Sequence, residues 1–316
     1  MKKNAAKMGV LVLAGSAFLA TTGCGMTTEK ILDKMQDQEM ESFSSVSDVD
    51  FGFKLGMSGV DFKITASGEY DMNVESASDE EASVYGYVDM NVNIPVTGKM
   101  PIETEFYSIM DGDEVEVYAL NPDSDTWVHS VQEVEEAMLD EDVRKDLEKA
   151  VRKVLDQAEL QKETEKVDGD ECYVLKLNTG LDAFKEVYEI IYDYANEMSE
   201  DKLEEELDDA DLSIDDVYDL MKYINMDLTI YASKSDGYCR RIVVDFTESD
   251  LQTLFEEFCD LAGVDPQDEW GVEVESVEFS SFSIDMTFND INDTTVKVPK
   301  DVTNEAIDMD LENMIY

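Results

Sequence analysis

Of the residue types that do chemistry near neutral pH, this chain is rich in only two, carboxylates and methionines. Its 316 residues include 76 Asp plus Glu and 17 Met, against four Cys and one His. The single His129 rules out any zinc site with two His ligands and most chemistry that needs a His base. No G-x-S-x-G, H-E-x-x-H, C-x-x-C or Walker A pattern occurs. Ser199-Glu200-Asp201-Lys202 matches S-x-x-K, but it lies in an acidic stretch without the companion motifs and reads as coincidence. Paired carboxylates hydrolyse glycosides, yet 76 acids guarantee accidental pairs, so that signal is uninformative. The stretch 197–219 sets twelve acids against one base, Lys202. It could offer oxygens to Ca²⁺, or simply be a solvated helix face and loop. Asn121, Asp123 and Asp125 begin an EF-hand loop, but Thr126 stands where Gly is required. The residues point to a non-catalytic protein with no expected metal or cofactor.

The methionines are more suggestive. Met57, Met72, Met90, Met110, Met226 and Met286 fall mostly on the apolar positions of different predicted strands. Such positions serve either as core filling or as an adaptable surface for acyl chains, because Met is flexible and polarizable. These six are the candidate ligand groove. Three cysteines of the mature chain, Cys172, Cys239 and Cys259, make an odd set for a disulfide framework. In a simple meander one strand separates Cys172 from Cys239, about 9–10 Å, too far for a bridge. Free thiols are expected. His129, beside Trp127, reads as a surface or rim residue.

The first residues are an address. Lys2, Lys3 and Lys7 precede an apolar run from Met8 to Ala20, which has signal-peptide length and is too short for an ordinary span. Thr21-Thr22-Gly23-Cys24 then resembles the lipobox of bacterial lipoproteins, with Thr21 where Leu is usual. That resemblance implies cleavage after Gly23 and a diacylglyceryl thioether on Cys24. The expected organisation is a signal peptide over 1–23 and a lipidated Cys with a short tether over 24–28. One domain over 29–302 and a tail over 303–316 follow. Two acyl chains make a stable anchor, which places the domain on the extracytoplasmic face of a bacterial membrane. A net charge of −52 excludes nucleic acid as a partner and repels anionic headgroups, so it is the lipid that holds the membrane.

The elements that must position these residues follow from their periods. Residues 28–42 predict a short helix. From Val49 onward apolar residues alternate with polar ones through Met57, Phe62 to Val74 and Val84 to Ile94, as in antiparallel strands with one wet face. Two shorter strands, 114–120 and 126–128, precede a helix from Ser130 to about Ala158 that opens on a Ser130/Glu133 capping box. A hairpin turning at Asp168-Gly169-Asp170 and a helix over 181–198 follow. An acidic helical insert (within 180–223) ends in a short helix capped by Ser213. Another hairpin, 226–246, leads to a helix capped by Ser249 and strands over 272–288 and 294–298. In strand 272–288 apolar positions move from odd (Val277, Phe279) to even (Phe282, Ile284), which predicts a bulge at Ser280-Ser281.

Glu165-Lys166-Val167-Asp168-Gly169-Asp170-Glu171-Cys172-Tyr173-Val174-Leu175, the hairpin Asp227 to Arg241 and the closing Val296-Lys297-Val298-Pro299 resemble the LolA/LppX/RseB-like lipoprotein family, in particular its Gram-positive lipoprotein branch. The resemblance implies an α+β fold: a curved antiparallel sheet, an open half-barrel, with helices inserted between hairpins and covering the concave side. It also implies a lipid or other amphiphile in an apolar groove. The acidic insert and the high net charge depart from shorter members. The alternative is an envelope sensor or interaction module whose protein partner docks on a sheet edge or on the insert.

Overall fold

The computed structural model describes residues 26–309 apart from 39, 77–80, 96, 113, 123, 134–140, 199–212, 266, 268–270 and 272. Six strands come first: β1 (Ser42–Met57), β2 (Val60–Ser76), β3 (Glu81–Ile94), β4 (Gly98–Asp111), β5 (Glu114–Asn121) and β6 (Thr126–Glu133). Each pairs antiparallel with the next. Alternation is the cause: one parity of each strand is apolar, so only one register buries a whole face. Between β1 and β2 the turn is Ser58-Gly59, with φ of +48° and +80°. Two left-handed residues twist a two-residue turn to match the strands, and glycine accepts that φ without strain.

A second meander comprises β7 (Glu159–Leu160), β8 (Glu165–Val167), β9 (Asp170–Gly180), β10 (Asn225–Ser233) and β11 (Cys239–Asp245). The last long strand, β12 (Val274–Asn289), pairs with β1 on one side and β11 on the other. It joins the two meanders into one open, curved antiparallel sheet, to which β13 (Ile307–Asp308) adds parallel to β6. The expected bulge is present. Gly52 pairs with Ser281 and Phe53 with Phe279, leaving Ser280 unpaired.

The helices are α1 (Thr28–Gln36), α2 (Glu141–Leu155), α3 (Lys185–Met198, entered by a 3-10 turn at Leu181–Phe184), α4 (Ile214–Met221), α5 (Leu251–Leu261) and α6 (Lys300–Glu305). Ile31, Leu32 and Met35 of α1 and Val154 and Leu155 of α2 share one core with Phe43, Met72, Leu175, Ile230 and Phe288 of the sheet. Arg152 fastens the two helices. It donates to Asp33 at 2.6 Å, to Asp156 at 2.7 Å and to the Glu29 carbonyl at 3.1 Å. A smaller core on the other face gathers Tyr107, Tyr118, Val296 and Val302.

Four sequence expectations are corrected. Ser130 does not start a helix; it is buried within β6, opposite Val117, because the 128–132 alternation continues the sheet. Asp250, not Ser249, caps α5, accepting from Thr253 N at 3.1 Å, while the Ser249 hydroxyl donates to Phe246 O at 2.7 Å. Residues 294–298 form no strand: Val296 N donates to the Glu75 carboxylate at 2.7 Å rather than to a backbone partner. The short first helix also stops earlier, at Gln36.

Candidate apolar ligand face

Register places all six methionine positions on one face of the sheet. Met72 pairs with Ser45, and Ser45 with Phe288. Met286 pairs with Ser47 and Ile242, Met90 with Gly68 and Ile102, and Met110 with Ala82 and Val115. Met57 closes the far end against Val60 and Val274, and Met226 stands in phase with Leu228 and Ile230. They are one face but not one patch, since β1 runs about 46 Å from Phe43 to Met57 at roughly 3.3 Å per residue.

The helices divide that face. Met72, in the core shared with α1 and α2, is 8% exposed and Met286 packs against that core, while Met226 on β10 is 7% exposed. These three fill the interior. Met57, Met90 and Met110 are half-buried. Toward the β1–β2 and β3–β4 tips the face opens to solvent, with Met100 at 45% and Ile102 at 40% exposure. Phe51, Phe53, Phe279 and Phe282 lie beside them as a half-buried cluster with ring centroids 5.0–6.5 Å apart. Phe106 crosses the strand pair over Gly86, where an added Cβ would meet its ring at 2.3 Å. Sequence patterning had singled out the methionines; Met100, Ile102 and the phenylalanines follow equally from the parity of their strands.

At its paired positions from β6 across β1 to β10, this face carries no Asp, Glu, Lys or Arg. The charges of the same strands stand on the opposite side, including Asp48, Lys54, Lys63, Asp71, Asp89, Glu105, Arg241 and Asp285. There Arg241 makes a two-pronged pair with Asp285 and lies 5.2 Å over the Tyr231 ring. In a chain that is 32% charged, this face is free of charge at its paired positions, while the opposite face carries both charges and the smaller apolar core.

The other sequence candidates lie elsewhere. Cys24, Ser199–Lys202 and the rest of residues 199–212 in the acidic insert fall outside the described residues. Asn121 accepts from Ser124 N at 3.2 Å, closing a turn. His129 stacks on Tyr118 at 4.4 Å on the opposite face, its Nδ1 2.8 Å from Asp308. Cys172, Cys239 and Cys259 are free and buried. Among the described residues no group of three His, Cys, Asp or Glu could hold a metal, and no helix is long and apolar enough to cross a membrane. A shallow cleft of about 460 Å³ opens between α2 and α3, where Lys153 meets Glu186 at 2.5 Å; none of the six methionines lines it.

No protein-family model and no curated protein matches the chain. Two solved structures resemble it distantly. A β-barrel-like protein of a domain of unknown function from Brucella abortus is 9% identical, with a TM-score of 0.26, over 79% of this chain and 96% of that one. A LolA superfamily protein from Nitrosomonas europaea is 10% identical, with a TM-score of 0.17, over 83% and 90%. Neither superposition is close enough to bear on function.

Proposed function

We propose that this is a non-catalytic lipoprotein of the bacterial cell envelope, anchored through Cys24, that holds a lipid or other amphiphile on the open half of its uncharged sheet face. The observation that carries this reading is the coincidence of two properties on one surface: freedom from charge, and solvent exposure at Met100 and Ile102. Contiguous exposed apolar surface marks a binding site in a soluble domain. Residues 25–316, purified natively without detergent, are expected to release a co-purified lipid on organic extraction, read by mass spectrometry. The Met100→Ser/Ile102→Ser pair, at exposed positions, should keep the circular dichroism spectrum and lose about tenfold in binding of a fluorescent acyl probe, some 1.4 kcal/mol. An empty protein that also ignores added acyl probes would move the assignment to the envelope interaction module. For the anchor, metabolic labelling with an alkyne fatty acid should mark the wild type and spare Cys24→Ala.

A further inference from the structure

We infer that the amphiphile taken by this face has an uncharged head bearing hydroxyl or ester oxygens, held by Ser45 and Ser47 at the inner border of the open half. This rests on the function proposed above and narrows its ligand class. Ser45 and Ser47 are 2% and 1% exposed, and neither Oγ has a hydrogen-bond partner among the described residues. A buried hydroxyl without a partner costs stability, and folded domains carry few of them. Here two occupy successive same-face positions of β1, about 7 Å apart, in phase to meet one ligand group. Tyr70, paired with Ser47 from β2, adds a further hydroxyl; burial alone pushes its phenol up, with neither a charge nor a hydrogen bond contributing.

Register joins these hydroxyls to the open surface. Ser47 and Tyr70 belong to the row that ends at Thr104 on β4, and the next row runs from Val49 through Gly68 and Met90 to exposed Ile102. Ser47 therefore lies about 16 Å along the sheet from Ile102, at ~4.8 Å per strand and ~3.3 Å per residue. Gly68 leaves part of that path without a side chain. Tyr70 and Met286, half-buried and paired with Ser47 on either side, are the groups that turn aside to admit a head. A head of either charge is excluded by the same surface. The paired positions carry no Asp, Glu, Lys or Arg, and no charged group among the described residues reaches either serine hydroxyl. Burying an ion there without a counter-charge is costly, whereas a neutral oxygen head both accepts from and satisfies the two hydroxyls.

The test is calorimetric titration of residues 25–316, which carry the whole described fold, with 1-dodecanoylglycerol, dodecanoate and dodecyltrimethylammonium. Each probe is kept below its micellar concentration, in about 500 mM NaCl so that the long-range field of the acids is screened. The glycerol ester is expected to bind about tenfold tighter than either ion. The pair Ser45→Ala/Ser47→Ala should lose about tenfold in ester binding and change dodecanoate binding by less than about twofold. Its urea midpoint, unchanged or higher, shows that the fold is kept; serines that only fill the core would leave the preference among heads untouched. Equal binding of the three probes, or a preference for either ion, would overturn the uncharged class while supporting the amphiphile reading. An ester preference that survives the double substitution would overturn the placement at Ser45 and Ser47. Failure of all three probes would remove both the amphiphile reading and this one.

Discussion

Cys172 and Cys239 flank β10 but face opposite sides of the sheet: Cys172 pairs with Ser233, whereas Cys239 pairs with Ala232 in the principal core. No bridge can form without moving a strand. Burial pushes the Cys239 thiol up to about 12 and raises Cys172 and Cys259 in the same direction. Residues 25–316 at about pH 8 should therefore resist iodoacetamide at all three in the native state and take up three labels when denatured, counted by intact mass. The pH dependence has a defined sign. An unfolded Cys239 ionises near 9, whereas the folded one stays protonated up to about 12, so its contribution is intact below 9 and lost as pH rises between them. Burial raises Tyr218 to about 12 and adds to the same trend. Urea midpoints should fall from pH 9 upward, less steeply in Cys239→Ser. Ser45 and Ser47 make the opposite prediction. Both are buried on the apolar face and neither hydroxyl has a hydrogen-bond partner among the described residues. Ser45→Ala and Ser47→Ala should leave the urea midpoint unchanged or raise stability by about 1 kcal/mol, since an unpaired buried hydroxyl costs more than a methyl.

Strands and helices are held by contacts that substitution can isolate one at a time. At Gly68 a Cβ would lie 2.0 Å from the Asp89 carbonyl oxygen and 2.6 Å from Met90 Cα, both backbone atoms of β3. Gly68→Ala must push β2 and β3 apart and should cost about 2–3 kcal/mol in thermal or urea unfolding. Arg152→Met removes the fastening between α1 and α2 while keeping the buried stem, and should cost about 2 kcal/mol by the same measurement. The local signals that specify these elements were largely readable in advance. Period-two alternation located β1 to β3, the odd-to-even change located the bulge at Ser280, and Ser213 caps α4 through a reciprocal pair with Asp216. What failed was local signal in competition with long-range pairing. Ser130 and Glu133 spell a capping box, but Val128 to Gln132 complete a ladder with β5. Val296 and Val298 alternate like a strand, yet the nearest acceptor is the Glu75 side chain. The insertion of β12 between β1 and β11 has no local signature at all. For the same reason the methionines could be placed mostly on buried strand faces from sequence, but neither gathered onto one face nor sorted into core and open surface: that depends on the register of β1 to β12 and on where the helices land.

Over the whole molecule the excess of 76 acids over 24 bases is the largest unbalanced term, and it acts in two directions. Like charges distributed over a folded domain repel more strongly than in the expanded chain, so the compact state is destabilised by its own field. Ion pairs such as Arg152–Asp33, Arg240–Asp236 and Lys234–Glu171 oppose this, but 24 bases can neutralise fewer than a third of the acids. Repulsion therefore outweighs pairing, and screening should relieve more than it removes. Raising NaCl from about 20 to about 500 mM shortens the Debye length several-fold and is expected to raise the urea midpoint. A midpoint that falls instead would mean that the pairs, not the repulsion, dominate.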